Sequence, residues 1–223
     1  MRVLIFGATG MVGQGVLREC LQAADVEQVL CVGRTPLGRQ EPKLAELVAP
    51  DLHDLRSAEA QLRGFDACFF CLGVSSAGMS EEQYRRLTYD MTVSAAETLV
   101  RLNPGMSFAY VSGAGTDSSG KGRSMWARVK GATENRLLTL PFKAAYMFRP
   151  GLILPMDGIR SKTRAYRIFY DILSPVLKLI RRFLPSMATT RSLGQAMLAM
   201  ARRGSGGKII EAAGINALAE GRT

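Results

Sequence analysis

Val3–Phe6 is an uninterrupted apolar run of strand length, followed by Gly7-Ala8-Thr9-Gly10-Met11-Val12-Gly13 and then by Val16, Leu17 and Leu21 at helical spacing. The chain therefore opens as strand, glycine turn and helix. Further apolar runs at Val26–Val32, Leu44–Val48 and Ala67–Leu72 predict three more strands, separated by helical or loop segments. A long helix is expected over Glu81–Leu102, stopped by Asn103-Pro104-Gly105, and a fifth strand over Ser107–Val111. Ser124–Leu138 reads as the next helix and Ala144–Phe148 as the sixth strand. After Arg149-Pro150-Gly151 the rhythm changes, with two helical pieces between residues 160 and 184 split at Ser174-Pro175. A helix from about Arg191 to Arg203 and a short strand near Lys208–Glu211 close the chain.

Alternation of β and α at this rhythm predicts a parallel sheet covered on both faces. The 223 residues predict one domain over 1–223, with 151–190 as a small substrate or cap segment. Apolar residues make up 47% and charged residues 22%, which excludes a disordered or coiled-coil chain. No apolar run approaches the length of a membrane span, and Val3–Gly7 is too short for a signal-peptide core. Cys20, Cys31, Cys68 and Cys71 all sit among apolar residues, as buried thiols of a reducing compartment do, so a cytoplasmic location is expected. The spacing of Cys68 and Cys71 resembles a redox motif, but on a strand residues i and i+3 face opposite sides. With a single histidine, His53, no metal site is expected.

Charge is unevenly spread. Residues 1–110 carry 10 basic and 13 acidic groups and the remainder 19 and 6, for nets of −3 and +13. Between Lys121 and Arg182, 14 basic residues meet three acids. That balance favours an anionic ligand or surface over a neutral solute, and its alternative is a solvated basic face. In Pro175–Leu184, Lys178, Arg181 and Arg182 share one helical face and Val176, Leu177, Ile180 and Leu184 the other. Such a helix suits a membrane surface, a partner, a pocket cover or its own domain, so peripheral contact at an inner membrane face through residues 160–184 stays open. Neither a nucleic-acid recognition motif nor aromatics interleaved with the basic residues are present, which argues against nucleic acid as partner.

Gly7-x-x-Gly10-x-x-Gly13 stands where a dinucleotide fingerprint needs it, between a strand and a helix. There the glycines let backbone approach pyrophosphate, while the helix N-terminus offers unpaired N–H groups and a positive dipole end. The second strand ends Cys31-Val32-Gly33-Arg34, with no carboxylate between Val29 and Leu37. A guanidinium there can hold a 2′-phosphate, so NADP is expected in preference to NAD; the alternative is that Arg34 is a solvated loop residue.

The glycine spacing resembles that of the extended and atypical short-chain dehydrogenase/reductase superfamily, and so do Tyr110-Val111-Ser112, Trp126-Ala127-Arg128-Val129-Lys130 and Arg149-Pro150-Gly151. The resemblance runs over most of residues 1–215 and is nearest to the NAD-dependent epimerase/dehydratase-like, NmrA-like and Tat-interacting-protein-like branch. It implies a doubly wound parallel Rossmann sheet in the order 3-2-1-4-5-6-7 with a small helical cap. A nucleotide would lie at the switch point between strands 1 and 4. Gly7, Thr9, Gly10, Met11, Val12, Gly13 and Arg34 would meet it, with Asp51 and Leu52 beside adenine and Leu72 and Gly73 on the nicotinamide side. Lys130 would hold the ribose, and Arg149 and Pro150 would also meet the cofactor where their turn leads into the substrate segment. Of the catalytic set, Ser112 and Lys130 match, whereas Trp126 occupies the slot of the superfamily's tyrosine. An indole N–H only donates and cannot serve as acid or base near neutral pH. Tyr89, Asp117 and Lys121 are the alternative acids. The expected activity is that of an NADP-dependent oxidoreductase or epimerase/dehydratase-like enzyme on an anionic or lipid-like, apolar small molecule. Its alternative, raised by Trp126, is a non-enzymatic NADP-responsive regulatory or binding protein.

Overall fold

The structure is a computed structural model, described for residues 1–159 and 187–222. The expected helices at 160–184, with the basic amphipathic face at Pro175–Leu184 and most of the 151–190 cap, lie outside the described residues.

Seven strands form one sheet: β1 (Arg2–Phe6), β2 (Gln28–Gly33), β3 (Leu44–Val48), β4 (Ala67–Phe70), β5 (Ser107–Val111), β6 (Ala144–Arg149) and β9 (Ile209–Glu211). Their order is β3-β2-β1-β4-β5-β6-β9, and every neighbouring pair is parallel. Since β9 is the seventh strand read from the sequence, the doubly wound Rossmann order is the one expected. The reason lies in the strands: those at the centre are apolar at successive positions because helices cover both faces. Along β1, Leu4 and Phe6 enter one core with Cys68, Phe70, Phe108 and Tyr110, while Val3 and Ile5 enter the other with Cys31 and Phe69. Cys68 and Cys71 pack against opposite faces, and all four cysteines are free thiols, with Cys71 only partly buried.

Helix α1 (Met11–Gln22) covers the second face with α5 (Thr190–Arg203) and α6 (Ala212–Ala219). The first face carries α3 (Met91–Leu102) and α4 (Met125–Thr139). The helix expected over Glu81–Leu102 is interrupted: α2 (Glu81–Arg85), opened by a capping box of Ser80 and Gln83, passes through a π-helical turn at Arg86–Asp90 into α3. A one-residue insertion of this kind leaves apolar spacing nearly unchanged, so periodicity does not register it. A two-stranded parallel pair, β7 (Ile153–Leu154) with β8 (Ala188–Thr189), and helix α6 are further elements that the hydrophobic pattern did not announce. Asp157, just after β7, is the single non-glycine residue with positive φ among the described residues, at 57°.

Two helices on the second face touch through glycine. A Cβ on Gly15 of α1 would stand 2.6 Å from the Thr190 carbonyl oxygen, and one on Gly194 of α5 would stand 3.2 Å from the Gly15 carbonyl oxygen. Backbone cannot retreat there without separating the helices from the sheet. Gly15→Ala is therefore expected to cost about 1–3 kcal/mol of stability by overpacking. Gly206→Ala, where a Cβ meets nothing within 4 Å, should be near neutral. Urea unfolding of the two variants checks this; equal midpoints would contradict the helix contact.

Candidate functional site: a cleft at the glycine turn

The turn after β1 is built on close backbone passages. Gly7 has φ +80°, and a Cβ on it would meet the Leu72 amide nitrogen at 2.7 Å; a Cβ on Gly13 would meet the Gly7 carbonyl oxygen at 2.1 Å. Gly10 N donates to Gly7 O at 2.9 Å, and Gly10 caps α1 without any side-chain hydrogen bond. The first turn of α1 holds no acidic residue, so its N–H groups meet no carboxylate of that turn.

Beside this turn lies a cleft of about 500 Å³, lined on one side by Gly7, Ala8 and Thr9 and on the other by Gly33, Arg34, Thr35 and Leu37. Glu46, Leu47 and Val48 of β3 form its floor with Cys31 and Val32, and Leu72 reaches it from the end of β4. The structure thus brings Gly7, Thr9, Arg34 and Leu72 to one cavity, with Gly10, Met11, Val12 and Gly13 in the adjoining turn of α1. Gly73 follows Leu72, with open space where a Cβ would be. Arg34 is exposed and has no hydrogen bond or ion pair among the described residues. Asp51 and Leu52 do not line this cavity. Asp51 is exposed and accepts from His53 N at 2.8 Å, while Leu52 is turned into the core. Val48, 47% exposed, is the more exposed of the two apolar residues, Leu47 and Val48, that β3 contributes to the cleft.

A second group of candidates gathers where β5 and β6 end. Lys130 Nζ donates to Ser112 O at 2.5 Å and to Val111 O at 3.4 Å, and stands 5.9 Å from the centre of the Tyr110 ring. Trp126, one helical turn earlier, sits over the Gly113–Gly115 turn, its Cη2 3.7 Å from where a Cβ on Gly115 would be. The i, i+4 spacing does put both side chains at the end of β5. The Ser112 hydroxyl is engaged inside the protein. It donates to the fully buried Glu134 carboxylate at 2.5 Å and lies 3.1 Å from Phe148 O. Arg149 closes on the same carboxylate through two bonds, Nε at 3.0 Å and Nη2 at 2.5 Å, and its Nη2 also donates to Ser118 Oγ at 2.6 Å. Pro150 O accepts from Ala114 N at 2.9 Å. Arg149 and Pro150 thereby tie β6 to α4 and to the loop after β5, and the Arg149 guanidinium is committed to that task.

The alternative acids are also accounted for. Asp117 accepts from Ser119 Oγ at 2.6 Å and Gly122 N at 2.6 Å, bonds that hold its carboxyl below the usual range and give it no proton to lend at neutral pH. Tyr89 lies under the Arg85 guanidinium, 4.0 Å from its ring centre, and Lys121 is exposed. Tyr110 is buried, which pushes its phenol up and out of use. Lys130 is different. Burial lowers its ammonium from 10.5 to about 8, with Glu134 pulling the other way, so it exchanges a proton near neutral pH. Periodicity could place Lys130 on its helix but gave no sign of Glu134 as the anchor behind it. Glu46 and Val48 were likewise missed, because a floor residue on a neighbouring strand has no local motif.

No protein-family model matches the sequence. The chain is 28% identical over 154 residues to Protein HTATIP2 of Rattus norvegicus, an alignment covering 68% of this chain and 62% of that protein, less than two thirds of the relative's length. It is 26% identical over 172 residues to Protein FMP52-2, mitochondrial, of Scheffersomyces stipitis, covering 72% of this chain and 69% of the other. Among solved structures, UDP-glucuronic acid 4-epimerase from Bacillus cereus in complex with NAD superposes with a TM-score of 0.68 at 12% identity, covering 94% of this chain and 77% of that one. At that identity the likeness carries the fold. The chain shares with that epimerase a doubly wound Rossmann-type sheet, and with HTATIP2 and FMP52-2 a likeness in sequence.

The lysine yields a direct prediction. Because the folded pKa lies below the ordinary 10.5, the folded chain binds fewer protons than the unfolded one between about 8 and 10.5, and this site's contribution to stability rises with pH across that window. In protein carrying ¹³C-methylated lysines, the Lys130 resonance, identified by its loss in Lys130→Met, should titrate with a midpoint near 8 while exposed lysines titrate above about 10. A Lys130 that titrates with the others would contradict its enclosure at the end of β5.

Proposed function

We propose that this protein binds NADP(H) in the cleft at the glycine turn and acts as an oxidoreductase or epimerase/dehydratase-like enzyme of the atypical short-chain dehydrogenase/reductase kind. The observation that carries the reading is the cleft itself, which joins Gly7 and Thr9 to the end of β2 with an Arg34 that has no partner among the described residues. The residues fit a dinucleotide. Gly7 and Gly13 leave no room for side chains where the turn meets its neighbours, the first turn of α1 points N–H groups outward, and Arg34 supplies a planar cation for a 2′-phosphate. Val48 and Leu37 offer apolar surface for the adenine. Leu72 and the turn at Gly113–Gly115 lie toward the reacting end.

NADPH, when bound, supplies a hydride. The chain's part is to place the nucleotide and to move a proton. Lys130 is the group we assign to the proton, since Trp126 cannot hold one and the Ser112 hydroxyl is spent on Glu134. Ser112 then acts through its carbonyl, which fixes the Lys130 amine. The substrate class proposed is an anionic or apolar small molecule, on the strength of the +13 net charge after residue 110. The single domain over 1–223, with 151–190 beside the substrate, is part of the same proposal. Among the described residues no helix is long and apolar enough to cross a membrane, and the FMP52-2 relative carries the word mitochondrial in its name.

A second reading has its own support. Trp126 over the Gly113–Gly115 turn favours an NADP-responsive binding protein in which the indole replaces chemistry with packing. Calorimetry and turnover separate the two. NADPH should bind more tightly than NADH, and Arg34→Ala should cost NADPH about tenfold while leaving NADH unchanged. NADPH oxidation over a panel of carbonyls and quinones should appear in the wild type and vanish in Lys130→Met. An NADPH affinity unchanged by Arg34→Ala would remove the 2′-phosphate assignment, and tight binding without turnover would establish the second reading.

A further inference from the structure

In NAD-selective sites of this architecture, an acid directly after the second strand accepts from the adenosine 2′-hydroxyl. Here Arg34 stands in that place, yet the cleft is not free of carboxylate. Glu46 arrives from β3, where it pairs in register with Cys31 of β2, two residues before the strand ends. The chain after Gly33 folds back so that Leu37 N donates to Glu46 Oε2 at 2.7 Å, closing the turn that carries Arg34 and Thr35. Among the described residues this is the carboxylate's one hydrogen bond, which leaves the other oxygen free to face the cleft that Glu46 and Arg34 both line. The Cys31 thiol registers the same charge: burial pushes it up to about 12, Glu46 adds to the rise and Arg39 works against it. Arg39 is itself paired with Glu41 at 2.5 Å.

We propose that Glu46 is a second determinant of cofactor choice, working against Arg34: its charge penalises a 2′-phosphate and its free oxygen accepts from a 2′-hydroxyl. A wild-type protein so built discriminates between NADPH and NADH less than Arg34 alone would allow. The inference rests on the nucleotide reading above and concerns only the adenosine end of the cleft.

Glu46→Gln tests it, because the amide oxygen still accepts from Leu37 N while the charge is gone. Calorimetric titration of wild type and variant with NADPH and with NADH should show the variant gaining NADPH affinity by about threefold or more and not gaining NADH affinity. Glu46→Ala gives a second route. It releases the Leu37 N–H as well, so both nucleotides weaken through the loosened turn, but the ratio of NADPH to NADH affinity should still rise. An unchanged ratio in both variants, with both nucleotides bound, overturns the role of Glu46 and leaves the nucleotide reading standing. A wild type that binds neither nucleotide overturns that reading, and the role of Glu46 with it.

Discussion

A side chain at residue 13 would need to occupy space 2.1 Å from the carbonyl oxygen of residue 7, and one at residue 7 would press on the backbone of Leu72. These two contacts lock the start of α1 against the ends of β1 and β4, at the point where the strand order departs to either side. The near half of the carboxyl edge of the sheet takes its position from them. The cleft lies between this turn and the end of β2, and Gly10 caps the helix beside it without a side-chain hydrogen bond, an arrangement that suits an anion.

The far half of the edge is held differently. There a buried carboxylate, Glu134, gathers Ser112, Arg149 and, through Arg149, Ser118. A buried charge of this kind is tolerable only when its oxygens are fully engaged, and removing one partner from such a pair typically costs about 3–5 kcal/mol. The cluster sets where α4 runs relative to β5 and β6, and so fixes the Lys130 amine under the Ser112 carbonyl. One glycine-tight turn and one ion-paired clamp thus place the two candidate groups, nucleotide-facing and proton-bearing, along a single edge.

Much of this was legible in the sequence. Strands buried on both faces announce themselves as apolar runs, and Leu44–Val48 and Ser107–Val111 coincide with their predicted ranges. The glycines were legible because a required absence of side chain leaves the same mark wherever backbone must meet backbone. Contacts between distant segments were not. Leu52 is apolar whether it faces an adenine or the core, and only the fold decides for the core. Ser112 fits a motif by position, but the direction of its hydroxyl depends on a carboxylate 22 residues away. Glu46 reads as one polar residue in a short edge strand until the folded-back Leu37 turn shows what its carboxylate holds.

Amide hydrogen exchange with oxidised NADP is the measurement closest to the central claim, that the glycine turn and the end of β2 are two walls of one nucleotide site. Slower exchange is expected at the amides of residues 10–13 and of Arg34, Thr35 and Leu37 together, at nucleotide concentrations that saturate binding. Binding that leaves both segments unprotected, or protects residues elsewhere on the chain instead, would contradict it.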